Sequence, residues 1–390
     1  MSKSVSSLSR PLLQFDYLLA LVALCLVAYG VLMNYSASFD FLEPESGFFR
    51  SLAFRQLVYA IVGMVIFAGV IFVRHPFVRR IAPLIYIGAL ITLVVVHFVG
   101  TSSYGARRWI DFGFFSLQAS EAAKVGTIVM LARFFADREK KIRQLRTFLL
   151  SLVIAGIPIV LVYLEPDLGS AVLIGLTWLA CAAVAGVRAL HLLGFFALIA
   201  AAIPVAYETV LQGYMKKRLE TFLNPEAEAL DAGYNILQAE ISVGSGGLLG
   251  KGYLQGTQTQ NHFLRVQNTD FIFSVIGEEL GFLGACVLLG LFAILLLRLI
   301  RIATLTDNVF GRVVAGGTAG LLLMQVFINI GINTRLLPVT GVPLPMISFG
   351  GSSMLTTFFL LGLIESVATH REKPVNIWGM PLTQPDDEAA

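Results

Sequence analysis

Polar and charged positions along this chain fall in clusters, separated by apolar runs of roughly twenty residues, the length that crosses a hydrocarbon core of about 30 Å as a helix. Such runs begin near Tyr17, Gln56, Ile81, Gln118, Phe148, Gly169, His191, Phe271, Val313 and Ser352. The pattern predicts about ten transmembrane helices, and so an all-α polytopic membrane protein. The segments "RHPFVRR", "DREKKIRQLR", "GVRAL" and "RLIRIATLTDNVFGR" all fall on the side of the N-terminus, which collects roughly seventeen basic residues of the chain's 28. Positive charge favours the inside, which places both termini in the cytoplasm.

One connection breaks the pattern of short loops. Between the seventh and eighth runs lies a polar, glycine-rich stretch of roughly sixty residues, unusually long for a connection, spanning about 208–270. It is rich in Ile, Leu, Tyr and Phe, which argues for a structured extracytoplasmic loop, and "YNILQAEISV" within it reads as an amphipathic helix lying in the membrane interface. The organisation is then a cytoplasmic segment 1–14, a membrane domain 15–369 and a flexible cytoplasmic tail 370–390, where Pro and acids occur without periodicity.

Composition agrees. The chain is 56% hydrophobic and 14% charged with mean hydropathy +0.79, too little polar surface for a soluble protein of this length. A net charge of +3, spread over short clusters, excludes nucleic acid as a partner. Cys25, Cys181 and Cys286 each lie inside a different apolar run and carry no disulfide or metal signature.

The chemistry-bearing residues cluster at the ends of runs. "LQASEAAKVG" puts Glu121 and Lys124 one helical turn apart within the fourth run, as a buried ion pair, a polar wall of a substrate site, or both. In "LEPDLGSA", Pro166 fixes a turn after Glu165 and Asp167 caps the next helix, the alternative being that it helps hold a cation. "GARRWIDFG" sets Arg107 and Arg108 beside Trp109, either as an interfacial anchor or as a bidentate grip on a diphosphate. "GSGGLLGKG" lacks the glycine and hydroxyl spacing of a P-loop. Its glycines form either a nest for a phosphate or sugar, with Lys251 beside it, or a flexible hinge. "RLLPVTGVPLPMISFGGSS" reads as a rigid re-entrant loop, tolerated at membrane depth only beside protein or a wet cavity, with Ser352 capping the last helix.

"NTDFIFSVIGEELG" carries three carboxylates. On one helix Glu278 lies roughly 12 Å deeper than Asp270, and Glu279 points nearly opposite to it. Asp270 therefore belongs to the external loop, while Glu278 and Glu279 lie near the bilayer middle and support the bundle by pairing with cationic or hydroxyl groups of neighbouring helices.

In their order, "SLQASEAAK", "EPDLGSA", "GYNILQAEISVGSGGLLGKGYLQGTQTQ", "NTDFIFSVIGEELG" and "LLPVTGVPLPMISFGGSS" resemble the SEDS proteins of bacterial cell-wall synthesis, over nearly the whole chain from Phe15 to Thr369. "LPVTGVPLPMIS" is more similar to the elongation branch, RodA, than to the division branch, FtsW. The resemblance implies a ten-helix peptidoglycan glycosyltransferase of the bacterial cytoplasmic membrane that polymerises lipid II at the outer face, with the family's catalytic aspartate matched by Asp270. It further implies a divalent cation, Mg²⁺ or Mn²⁺, a class B penicillin-binding protein as transpeptidase partner, and other membrane proteins of the elongation complex. The chain departs from the family in having Arg265 and Val266 where Pro and Glu are usual, and Ala119 where Pro is common.

The residues suit that chemistry. A polyprenyl diphosphate is a good leaving group, so the protein must supply a base, positive charge and a groove. Asp270 is the expected base, giving an inverting displacement that turns an α-linked donor into a β-1,4 polymer. Arg108, Lys124 and Lys251, with Glu121 and Ser352, form the expected binding set, and Asp167 and Asp270 are the expected cation ligands. A lipid II flippase of the same pathway is the alternative function, since intramembrane charges suit a translocation path as well.

Overall fold

A computed structural model describes residues 15–39, 51–103, 106–111, 113, 115–209, 213–228, 232–264 and 266–370. The segments 1–14 and 371–390, and Arg265, lie outside them. In chain order the helices are α1 (Tyr17–Ser38), α2 (Leu52–Ile71), α3 (His75–Val99), α4 (Ala119–Asp137), α5 (Leu145–Leu164), α6 (Leu168–Ala185) and α7 (Ala189–Thr209). Then follow α8 (Gly213–Leu223), α9 (Ala232–Ser245), α10 (Thr257–Gln260), α11 (Ile272–Thr304), α12 (Val309–Asn333) and α13 (Gly351–Thr369).

Eight of these helices, α1, α2, α3, α5, α6, α11, α12 and α13, are long and apolar enough to cross a membrane. This is a multi-pass membrane protein. In lipid every backbone polar group must find its partner within the segment, which is why the apolar runs fold as helices. Their starts are capped by short polar side chains: Asp16 accepts from the N–H of Leu19, Ser51 from Phe54, Asp167 from Ser170 and Asn308 from Gly311. Helix α4 carries four charged residues, Glu121, Lys124, Arg133 and Asp137, and α7 is apolar over Ala189–Ala202.

Helices α12 and α13 sit at the centre of the bundle, with α13 against α2 and α12 against α6 and α11. Gly316, Gly317 and Gly320 of α12 face Val184, Cys181 and Ala180 of α6, so small residues let two backbones approach where lipid offers no hydrophobic drive. At one end of the bundle Asp16 pairs with Arg298 (2.9 Å) at the end of α11, and its backbone N–H donates to Glu365 near the end of α13 (2.7 Å). Both ends of the described chain therefore emerge together.

The opposite end holds the irregular elements, and it corrects the all-α reading. Between α3 and α4 the chain forms a three-stranded antiparallel sheet of β1 (Thr101–Ser103), β2 (Ala106–Asp111) and β3 (Ser116–Gln118). "ARRWID" is too short and too polar to continue the membrane pattern. Its register, Trp109 opposite both Thr101 and Gln118, instead satisfies the backbone through strand pairing.

The depth assigned to Glu278 and Glu279 is also corrected. Helix α11 has 33 residues, roughly 50 Å, too long for one crossing of a core of about 30 Å. It breaks at Gly281, whose φ of 66° and ψ of −161° no helix contains. The stretch from Ile272 to Gly281 is enclosed by protein, whereas Phe282 and Leu283 begin a run of exposed apolar residues. Phe282 to Thr304 alone supplies roughly 35 Å of helix. The two glutamates therefore stand above the crossing segment rather than at its middle.

Candidate functional site

Asp270 lies two residues before α11 and its position is over-determined by backbone contacts. Its carbonyl accepts from Asn333 (2.8 Å) and Asn329 (3.2 Å), both on α12. Just upstream, the Thr269 carbonyl accepts from the Ser348 hydroxyl (2.6 Å) and the Asn268 carbonyl from the N–H of Phe349 (2.8 Å). Those two residues belong to the segment 335–350, the re-entrant stretch expected from its prolines, which is held in turn by Asn34 on Ile347 (2.6 Å), Gln56 on Ser348 (3.1 Å) and Asn329 on Val342 (2.9 Å). Carbonyls that no helix can satisfy are met by amide side chains from three helices.

Around the Asp270 carboxylate three more elements converge. Gly341 approaches so closely that a β-carbon there would lie 3.9 Å from Asp270 Oδ2. Arg218 on α8 donates to the Val339 carbonyl (3.3 Å), and Thr340 packs its carbonyl on Gly169 at the start of α6. Arg108 of β2 donates to the carbonyls of Glu165 (3.2 Å) and Pro166, bracing the turn before α6. The carboxyl of Asp270 is pushed up to about 6 by burial, against the lowering effects of the Arg218 charge, the Thr269 hydrogen bond and Arg108, with the Asp167 charge adding to the rise.

Glu165 is an unexpected member of this group. It is buried, its Oε1 has no hydrogen-bond partner among the described residues, and its carboxyl is pushed up to about 8 by burial and by the charge of Asp167, with Arg108 opposing. Asp167 caps α6 through Ser170 (3.1 Å) as its spacing predicts. No group of three or more His, Cys, Asp or Glu residues suited to a metal ion occurs among the described residues. The Asp167 charge reaches the Asp270 carboxyl and helps raise it, so the oxygen ligands of this pair suit a hard divalent ion.

The remaining expected residues are placed elsewhere. Glu121 and Lys124 form a fully buried pair (2.6 Å) on α4, and Glu121 also accepts from Thr356 of α13 (3.1 Å). Lys251 reaches Glu278 (2.8 Å) and Thr257 (2.7 Å), about two helical turns beyond Asp270. Glu278 further accepts from the N–H groups of Gln258 and Thr259 and from the Thr259 hydroxyl, while Glu279 accepts from Ser36 of α1 and Gln260. The glutamates thus fasten the long loop's own residues to α11, and among the described residues Ser36 is the one partner from a membrane helix. Ser352 does not cap α13: Gly350 holds that position with no side-chain bond, and the buried Ser352 hydroxyl accepts from Gln118 N–H and donates to the Ser116 carbonyl. The side chain of Arg107 lies outside the described residues.

Arg218, Asn329 and Asn333 were not singled out by sequence. Arg218 sits in the basic, amphipathic "MKKRLETFL", and the two asparagines stand one turn apart on a mostly apolar helix, where unpaired amides are costly. Those were the signals available.

Comparison with known proteins identifies the family. A family profile for the FtsW, RodA and SpoVE cell cycle proteins matches residues 16–373. The peptidoglycan glycosyltransferase MrdB of Escherichia coli K12 is 38% identical over 358 residues, covering 92% of this chain and 94% of that protein. The peptidoglycan glycosyltransferase RodA of Treponema pallidum is 30% identical, covering 92% and 98%. Among solved structures, a chain of a peptidoglycan synthase complex that coordinates polymerisation and crosslinking superposes with a TM-score of 0.77 at 30% identity, covering 92% of this chain and 98% of that one. The rod shape determining protein RodA of Thermus thermophilus gives 0.68 at 29%, covering 92% and 98%. With its order of motifs, its re-entrant segment and a profile match along nearly its whole length, the chain belongs to the FtsW/RodA/SpoVE family, the SEDS proteins.

Proposed function

We propose that this chain is a peptidoglycan glycosyltransferase that polymerises lipid II at the outer face of the bacterial cytoplasmic membrane, in an assembly of ten crossing helices with both termini in the cytoplasm. The observation that carries the reading is Asp270: a half-buried residue whose backbone carbonyl is held by two asparagines and whose carboxyl feels the charges of Arg218 and Arg108, at the end of the bundle where the loops gather.

Asp270 takes the proton from the acceptor hydroxyl as that oxygen attacks the anomeric carbon of the donor, and the polyprenyl diphosphate departs from the opposite face. One base and a leaving group of low basicity suffice, and the anomeric centre inverts. A carboxyl raised to about 6 is more basic than an ordinary aspartate yet still ionised at neutral pH. The two guanidiniums offer charge-assisted donors to the departing diphosphate. Asp167 and Asp270 are the residues that would hold a Mg²⁺ or Mn²⁺ ion, which would supply further charge neutralisation there. Crosslinking of the product falls to a partner transpeptidase of the penicillin-binding class, a reading supported by the likeness to a synthase complex.

The test is polymerisation of labelled lipid II by purified protein in detergent, where a flippase makes no polymer. Wild type yields glycan chains, and Asp270→Ala and Asp270→Asn lose about 10²–10⁴-fold in rate, the range of a general base. Full activity in either variant overturns the assignment.

A further inference from the structure

Within the stretch 244–252, expected from sequence to be either an anion nest or a hinge, residues 246–252 form a rigid turn laid on the break in α11. Five backbone bonds build it: Gly250 N–H to the Gly246 carbonyl (2.9 Å), Lys251 to Glu278 (2.9 Å), Gly252 to Glu279 (3.0 Å), and in return Phe282 to Gly247 (2.9 Å) and Leu283 to Leu248 (3.0 Å). The N–H and C=O groups freed by the break at Gly281 are thereby satisfied. A β-carbon on Gly246 or Gly250 would run into the backbone at Gly277 or Glu279, so the contact admits only glycine.

At its tip this turn displays Leu248 and Leu249, which are 71% and 76% exposed, among the most exposed apolar side chains of the protein. Their height is set by the bond from Leu283 N–H to the Leu248 carbonyl. That bond puts the turn level with Phe282 and Leu283, where the exposed apolar surface of the crossing segment begins. The only nearby charge on the turn, Lys251, is drawn back onto Glu278 and away from the tip. Tyr253 follows, exposed, with its hydroxyl on the Leu32 carbonyl of α1 (2.8 Å), an aromatic at the level where such residues meet headgroups.

We propose that this turn is a membrane anchor: Leu248 and Leu249 enter the acyl chains of the adjoining leaflet and continue the lipid-facing surface of α11 beyond its helical part. The occupant is lipid because the turn adjoins the bilayer-crossing face. A rigid tip exposing two leucines has no other apolar medium at that level in the isolated chain. Through Lys251, Gly252 and the two glutamates, the anchor fixes the height of the long loop, and with it the segment leading to Asp270, relative to the membrane surface. The inference needs only that the chain spans a bilayer and is independent of the catalytic reading.

The test is a single environment-sensitive fluorophore on Leu249→Cys, and separately on Leu248→Cys, in a background with Cys25, Cys181 and Cys286 replaced, reconstituted in phosphatidylglycerol/phosphatidylethanolamine nanodiscs. Both labels are expected to be quenched by spin-labelled acyl chains, more by a label at carbon 5 than at carbon 12, and to resist aqueous iodide. A label on exposed Glu226→Cys of the long loop should behave in the opposite way. Quenching of positions 248 and 249 by iodide, or by neither agent because a second copy covers them, overturns the proposal.

Discussion

The side chain of Asn333 holds Asp270 and Ser274 at once: its amide donates to the Asp270 carbonyl at 2.8 Å, and its oxygen accepts from the Ser274 N–H at 2.9 Å and the Ser274 hydroxyl at 2.6 Å. Helix α11 has Phe271 at its cap position with no side-chain bond of its own, so a neighbouring helix supplies the cap and the same amide sets the backbone of the proposed base. Asn333→Leu leaves three buried polar groups at Asp270 and Ser274 without this partner. We expect a stability loss of about 1–3 kcal/mol and a fall in kcat larger than any rise in KM, measured by thermal melting and lipid II polymerisation. Asn333→Asp keeps the acceptor for Ser274 but not the donor for Asp270, and should melt closer to wild type while remaining impaired in kcat.

The raised carboxyl of Asp270 gives two opposite pH effects. As a base it works ionised, so kcat/KM should rise with pH through about 6 and then level until the Glu165 carboxyl ionises at about 8. For stability the sign is reversed. A carboxyl whose folded pKa lies above its unfolded value favours the folded state at low pH, and that contribution is lost as pH rises through about 6. Asp270→Asn removes the buried charge and should melt at a higher temperature than wild type at pH 8. The gap should close toward pH 4, and melting curves at the two pH values check it.

How much of this was legible beforehand follows from the physics of each element. Apolar length predicted the bundle, because a bilayer admits little but helices. The cap at Asp167 and the re-entrant segment 335–350 were readable from local chemistry, Asp before an apolar run and Pro in place of helix formers. The break at Gly281 was hidden inside an uninterrupted apolar pattern. Its cause is long-range, the docking of residues 246–252, and one glycine among many does not announce a positive φ. For Glu278 and Glu279 the expected partner chemistry, cations and hydroxyls, is met by Lys251, Thr257, Thr259 and Ser36, but most of these come from the long loop and not from membrane helices, because the helix was taken as straight and the glutamates fell at membrane depth.

Arg218 exerts the largest charge effect on Asp270, and its guanidinium stands on the segment that passes beside that carboxylate at Gly341. Arg218→Ala should lower kcat/KM for lipid II roughly 10–100-fold, the scale of one charge-assisted hydrogen bond. It should also move the acidic limb of the pH profile upward, since the charge that holds Asp270 down is gone. Arg218→Lys, which keeps the charge without the planar fork, should restore the limb but only part of the rate. An unmoved limb in the alanine variant would separate the two residues.

Glu165, with a carboxyl pushed up to about 8 and one oxygen without a partner among the described residues, is mostly protonated at neutral pH. Glu165→Gln should therefore leave polymerisation at pH 7 nearly unchanged. Above pH 8 the wild-type carboxyl ionises beside Asp167 and the activity of the native enzyme should decline, a limb the glutamine variant lacks. Parallel pH–rate profiles from pH 6 to 9.5 distinguish the two, and a large loss for the glutamine variant at pH 7 would show that the ionised form is the working one.

The break in α11 makes a stability prediction that no straight helix would. Gly281 adopts φ 66° and ψ −161°, a region open almost only to glycine, and a β-carbon there would also meet the backbone of Gly250 and Leu248. Gly281→Ala carries both penalties, with the conformational strain alone about 1–3 kcal/mol. The seven-residue turn then loses its docking, and Lys251 and Gly252 lose the backbone bonds that align the long loop with Glu278 and Glu279. We expect a lower melting temperature, a reduced folded yield in detergent and loss of polymerisation together. Gly290→Ala provides the control: it lies further along the same helix, a β-carbon there meets open space, and alanine in a helix interior is favoured over glycine by about 0.5–1 kcal/mol. If the two variants melt alike, the break at Gly281 is not a fixed feature of the protein in its membrane.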